Sequence, residues 1–164
     1  MSPVAIAVTL VAAQRLAELW WSQRNLRRLR RIGAVEHGRA HYPLIVALHV
    51  AWLAALLFLV PAQTQPEPAP LAIYVALQFV RLWAILSLGR YWSTRIITVP
   101  GAPLVRSGPY RWLTHPIYAV VICEIALLPL AFDAWRIALG FTCVNLVLLA
   151  WRVRIEDAAI APRR

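Results

Sequence analysis

The chain contains no lysine: its seventeen basic residues are all arginine, set against seven acidic ones. It has only two cysteines, Cys123 and Cys143. Both lie in apolar stretches without partner spacing, which excludes a disulfide framework or zinc site and reads them as small core residues. The six glycines are scattered. They form no Gly-x-Gly-x-x-Gly turn and no phosphate-binding loop, and there is no Gly-x-Ser-x-Gly elbow, so a nucleotide-like cofactor must be held by other means. The four histidines are too few for a histidine-box di-iron centre. Gly38 and Pro43 also argue against a rigid helix presenting the close pair His37 and His41 as ligands, so no metal site is expected.

What the chain does have is oil. Of 164 residues 61% are hydrophobic, well above the roughly 45–50% of soluble domains. Five apolar runs, at 3–21, 43–61, 70–89, 115–132 and 134–152, approach the ~17–25 residues that cross a bilayer. The expected fold is an all-α integral membrane protein of five transmembrane helices, one domain over 1–164. The first run is too long for a signal peptide and lacks a preceding basic region, so it reads as a retained span. Arginines cluster at 24–39, 90–111 and 152–164, whereas the 62–69 loop has none. The positive-inside rule then puts the N-terminus outside and the C-terminus in the cytoplasm. The net charge of +10 reads as topology and contact with anionic lipid. Nucleic acid is excluded as a partner, because the arginines form no single stripe. Absence of lysine points to a GC-rich genome, hence a bacterial inner membrane.

Between the third and fourth runs lies the longest polar stretch. "TRIITV" (94–99) is β-prone, "PGAP" (100–103) is a turn signal and "LVR" follows, which predicts a small cytoplasmic hairpin or flap. In "THP" (114–116), Pro116 suits the first position of a helix, with Thr114 or His115 as its cap. The free N–H groups of such a helix start can hold a carboxylate or phosphate.

Ionisable residues inside spans each need a partner. Arg15 and Glu18, three apart, can pair, and Gln78 and Arg81 lie on one face with Tyr74. Glu124 is expected to pair with Arg81 or Asn145 as structural glue. Asn145, Arg152 and Glu156, spaced seven and four apart, share one helix face. That face reads either as a solvated i,i+4 pair or as one wall of a polar pocket, with His115 and Tyr118 on the facing wall.

"GPYRWLTHPIY" (108–118), followed by an apolar hairpin and "RVRIEDAAI" (152–160), resembles the isoprenylcysteine carboxyl methyltransferase family. "SLGRYWSTRIITVPGAPLVRSGPYR" and "HYPLIVALHVAWL" look like its bacterial branch, so the likeness runs from about residue 35. The resemblance implies a membrane methyltransferase that uses S-adenosyl-L-methionine, enclosed by the last two helices and the adjoining loop in a catalytic region of about 89–164. It further implies a lipophilic acceptor arriving from the bilayer, with the cofactor entering from the cytoplasm.

Residue by residue, the resemblance implies that Gly108, Tyr110, His115, Pro116, Tyr118 and Glu156 bind the cofactor, with Arg152, Glu156 and His115 catalytic. Thr114 stands where the family has arginine, and Asp157 replaces a second glutamate; Arg111 is a candidate for the missing charge. For the cofactor's own groups, the helix start with His115 suits the carboxylate and Glu156 the ammonium. Tyr110, Trp112 or Tyr118 suits the adenine or sulfonium. The acceptor oxygen is a carboxyl or the hydroxyl of a prenylcysteine-like, alkylresorcinol-like or alkylpyrone-like lipid. An NADPH-dependent lipid reductase and a non-enzymatic membrane scaffold remain as other readings.

Overall fold

The computed structural model describes residues 1–161. Arg163 and Arg164 of the third arginine cluster lie outside the described residues. Five helices form the body: α1 (Pro3–Arg31), α2 (Tyr42–Leu59), α3 (Pro68–Leu88), α4 (Pro116–Leu130) and α5 (Trp135–Ile160). Two short strands, β1 (Val35–His37) and β2 (Ile96–Thr98), and 3₁₀ turns at Gly89–Tyr91 and Gly108–Arg111 complete it. The helix starts follow from the sequence. Pro3, Pro68 and Pro116 occupy first positions, where the missing N–H costs nothing, and the Ser2 Oγ accepts from the Ala5 N–H at 3.2 Å.

Among the described residues, four helices are long and apolar enough to cross a membrane. The other, α4, has 15 residues, a rise of about 22 Å against a hydrocarbon core of ~30 Å. α1 and α5 run well past the predicted spans at 3–21 and 152, because arginine-rich sequence with good helix propensity continues each helix out of the apolar zone. Phe58 and Phe79 are more than two-thirds exposed on the outer surface, while Trp52, Leu56 and Ile125 are buried between helices. Such an inside-out distribution is what lipid as solvent demands.

The helices alternate in direction. At one end Asn25 of α1 donates to the Gly89 carbonyl after α3 at 3.1 Å, Tyr42 of α2 meets Thr94 at 3.1 Å, and His115 before α4 lies 3.3 Å from Asp157 of α5. At the other end the Glu67 N–H donates to the Ala131 carbonyl at 2.7 Å, joining the α2–α3 loop to the α4–α5 turn. The arginine-rich segments thus collect at a single end of the bundle.

Two expectations need correction. A strand does form inside 94–99, but its partner is β1, antiparallel with Val35 opposite Thr98, and not the nearby Leu104–Arg106 stretch. Glu36 explains the choice, since it takes Arg30 and Arg95 at 3.0 and 2.5 Å and so binds the end of α1 to the segment before β2. The arrangement is a non-local clasp and not a hairpin. Cys123 and Cys143 are exposed on the outer helix faces and not in the core, because the inward-facing positions beside them are Glu124 on α4 and Asn145 on α5, each 1% exposed, which turns both cysteines outward.

Candidate active site

The end of the bundle that gathers the arginines also gathers the polar motifs. His115 is the N-cap residue of α4, and its side chain does not cap the helix; neither does that of Thr114. The imidazole instead stacks on Tyr118, with centroids 5.2 Å apart and planes 14° from parallel. Its Nδ1 lies 3.7 Å from Glu156 and its Nε2 3.3 Å from Asp157.

Tyr118 lies one turn into α4 and faces α5. Arg152 Nε donates to its hydroxyl at 2.7 Å, and the hydroxyl in turn donates to Glu156 Oε2. Arg152 also sends Nη2 to the Thr94 carbonyl at 2.7 Å, and its guanidinium lies over the Tyr118 ring. The Arg152–Glu156 stripe is therefore a pocket wall and not a solvated pair, and His115 and Tyr118 form the facing wall.

The pocket is a cavity of about 790 Å³ lined by all five helices and the segment after α3, within the range of about 300–1,000 Å³ usual for small-molecule sites. Its mouth holds Tyr110, Arg111, Thr114, His115, Tyr118, Arg152 and Glu156, and its inner part holds Asn145, Arg15, Glu18 and Arg81. Asn145 is buried and its Nδ2 has no hydrogen-bond partner among the described residues. Burial, reinforced by the Glu156 charge, pushes the Tyr110 phenol well above its usual range, so it stays protonated and can donate.

Of the predicted site residues, His115, Tyr110, Tyr118, Arg152 and Glu156 line this one cavity, whereas Gly108 and Pro116 do not. Pro116 is buried at the first position of α4. Gly108 adopts φ +58°, and a Cβ there would collide with Ser87 Oγ and approach the Trp83 ring. It sets the 3₁₀ turn that carries Tyr110 close against α3. Trp112 is 70% exposed and packs edge-on against Trp83 at 5.9 Å, away from the lining. The Tyr118 ring is already engaged by His115 and Arg152, which leaves Tyr110 as the aromatic group open to a ligand.

Sequence reasoning missed Thr94. Its N–H and Oγ1 meet Ser22 Oγ of α1 at 2.9 and 3.0 Å, its Oγ1 meets the Tyr42 hydroxyl of α2, and its carbonyl holds Arg152 of α5. Three helices are fixed through one residue of an irregular segment, which no periodicity reveals. Tyr42 and His49, four and eleven residues beyond Gly38, also line the cavity. The spacing of seven between them was the available signal.

Deeper in the bundle the charged residues form one network. Arg81 donates to both oxygens of Glu18, at 2.7 and 2.6 Å, and to Glu124 at 3.0 Å. Arg15 joins Glu18 at 3.1 Å to Glu124 at 2.7 Å, and Gln78 donates to the other Glu124 oxygen at 3.0 Å. Glu124 thus pairs with Arg81, as one of its two expected partners, and not with Asn145. The histidines of "EHGRAH" are used structurally, His37 against Thr98 at 2.8 Å and His41 against the Trp151 ring.

Known proteins resemble this chain over most of its length. Residues 70–162 match the model of the isoprenylcysteine carboxyl methyltransferase family, a stretch that includes the whole α4–α5 wall. The uncharacterized protein YpbQ of Bacillus subtilis is 40% identical over 159 residues, covering 94% of this chain and 95% of that protein. An uncharacterized protein of Haemophilus influenzae is 26% identical over 163 residues, covering 96% of this chain and 95% of that one. No solved structure matches the chain.

Proposed function

This chain belongs to the isoprenylcysteine carboxyl methyltransferase family, and from that premise we propose that it transfers a methyl group from S-adenosyl-L-methionine to an oxygen of a lipophilic acceptor. The observation that carries the proposal is the joining of Tyr118, Arg152, Glu156 and His115 in one cavity at the arginine-rich end of an apolar bundle.

The donor set fits the cofactor. Glu156 and Asp157 supply carboxylates for an ammonium, and the N–H groups at the start of α4 suit a carboxylate. Tyr110 offers an aromatic face, and the unpartnered Asn145 Nδ2 offers a buried donor for a polar edge. When bound, S-adenosylmethionine supplies an electrophilic methyl on a sulfonium that leaves as a neutral thioether. The chain itself contributes position. Arg152 is held by Tyr118 and the Thr94 carbonyl, so Glu156 and the cavity wall are fixed before any ligand arrives. The apolar lining of Ile117, Val121 and Leu149 excludes water from the path between the mouth and the interior.

The acceptor enters sideways. On α1, Ala12, Leu16 and Leu19 and, on α2, Val46, Val50 and Leu53 line the cavity, and Leu16 and Val50 are also exposed on the outer surface. This seam admits an alkyl or prenyl tail from the bilayer. We read α4 as a short fourth crossing among five, and the positive-inside rule, with the arginine-rich segments at one end, supports an N-terminus outside and a cofactor mouth in the cytoplasm.

The test is transfer of an isotopically labelled methyl group from S-adenosylmethionine to a long-chain alkylresorcinol or a prenylated cysteine in detergent. The wild type should label one of them and Glu156→Gln neither. Equal labelling by both proteins would overturn the site.

A further inference from the structure

We propose that His49 is the general base that removes the proton from a hydroxyl acceptor, so that the lipid methylated is a phenol or enol and not a carboxylic acid. This deepens the methyltransferase reading and rests on it.

His49 lies on the α2 face that lines the cavity, among Ile45, Val46, Val50 and Leu53. Its Nδ1 is 2.8 Å from the Ile45 carbonyl, one turn back. A carbonyl oxygen only accepts, so Nδ1 carries the hydrogen, and in the neutral ring Nε2 holds the lone pair. Nε2 makes no hydrogen bond among the described residues, and the Trp52 ring packs edge-to-face with the imidazole, centroids 6.4 Å apart and planes at 79°. An imidazole of locked tautomer, with its basic nitrogen unused and an apolar cavity beside it, is arranged as a general base is.

Among the described residues no other base at this depth is available. Both oxygens of Glu18 and both of Glu124 are taken by Arg15, Arg81, Gln14 and Gln78. At the mouth Glu156 accepts from Tyr118. The charges that face His49 come from three helices, Arg15 of α1, Arg81 of α3 and Glu124 of α4. The two guanidinium groups favour negative charge growing on an acceptor oxygen. A carboxylate acceptor is already ionised and would leave His49 without a task.

The step balances. The acceptor O–H proton passes to Nε2, the oxygen pair forms the new O–CH₃ bond, and the C–S electrons stay on sulfur. The imidazolium then returns its proton to water.

The experiment uses the full-length protein in detergent, with pentadecylresorcinol and a ring-fluorinated, more acidic analogue of the same chain length. His49→Ala and His49→Gln should lose at least about 100-fold in methyl transfer to the resorcinol, within the ~10²–10⁴-fold range of general-base catalysis. The loss should be smaller for the fluorinated phenol, and added imidazole should restore part of the His49→Ala rate. S-adenosylmethionine binding by calorimetry should match wild type in both variants, and saturating resorcinol, followed by tryptophan fluorescence, should not restore the lost rate. Variants that stay within about threefold of wild type, or lose equally on both phenols without imidazole rescue, overturn the base, since general-base loss is larger and depends on acceptor acidity. A wild type that binds the cofactor but methylates neither phenol also overturns it. A wild type that binds no cofactor instead sinks the methyltransferase reading.

Discussion

The hydroxyl of Tyr118 accepts from Arg152 Nε at 2.7 Å and donates its one proton to Glu156. A cation and an anion on the same face of α5 are thus coupled through a residue of α4, and neither can move without the other. Tyr118→Phe removes that coupling while keeping the ring that stacks on His115. Hydrogen bonds to charged groups are worth about 1.5–3 kcal/mol, so S-adenosylmethionine should bind about 10–100-fold more weakly, as read by calorimetry.

Glu124 is 1% exposed and accepts from Arg15, Arg81 and Gln78. Glu124→Ala leaves two guanidinium groups facing each other in the middle of the bundle, and removing one partner of a buried ion pair costs about 3–5 kcal/mol. The variant should unfold at markedly lower temperature in detergent. Glu124→Gln should recover part of the loss.

Gly108 is a positioning residue. Gly108→Ala meets both the φ +58° backbone and the Ser87 hydroxyl. Non-glycine residues held there cost of order 1–3 kcal/mol, and the turn that presents Tyr110 should shift. Weaker cofactor binding with helical content unchanged by circular dichroism is the expected result, and Ser87→Gly in addition should relieve only part of it.

The clasp between β1 and β2 carries a pH signature. Burial pushes the Glu36 carboxyl up, but hydrogen bonds and charge from Arg95, then Arg30 and Arg39, outweigh it, so the group titrates below the ordinary carboxylate range. A depressed folded value means the stabilisation is fully present above the unfolded value of about 4.3 and is lost as pH falls through the folded one. Melting temperature should fall on acidification in the wild type, and Glu36→Gln should be less stable at neutral pH and flatten that acid limb. Parallel limbs for the two proteins would contradict the assignment.

Much of this was legible in the sequence, for physical reasons that differ from place to place. Apolar runs and proline starts reveal helices, because membrane spans must satisfy their own backbone. Arg152 and Glu156 declared a shared face by their spacing of four. Thr94 did not declare itself, since its role lies in one carbonyl and one hydroxyl on an irregular segment. β1 was hidden in three residues after α1, and its pairing is set by Glu36 reaching Arg95 across the chain. The length of α4 was overestimated because Ala131 and Phe132 are apolar yet turn, with Pro129 inside the last turn of the helix and Asp133 at φ 55°.

The most direct measurement is calorimetric binding of S-adenosylmethionine to the detergent-purified protein, with NADPH as the comparison and Glu156→Gln as the variant. Saturable binding of S-adenosylmethionine, none of NADPH, and loss of binding in Glu156→Gln is the predicted result. Binding of NADPH alone, or S-adenosylmethionine binding unaffected by Glu156→Gln, would contradict the cofactor site described here.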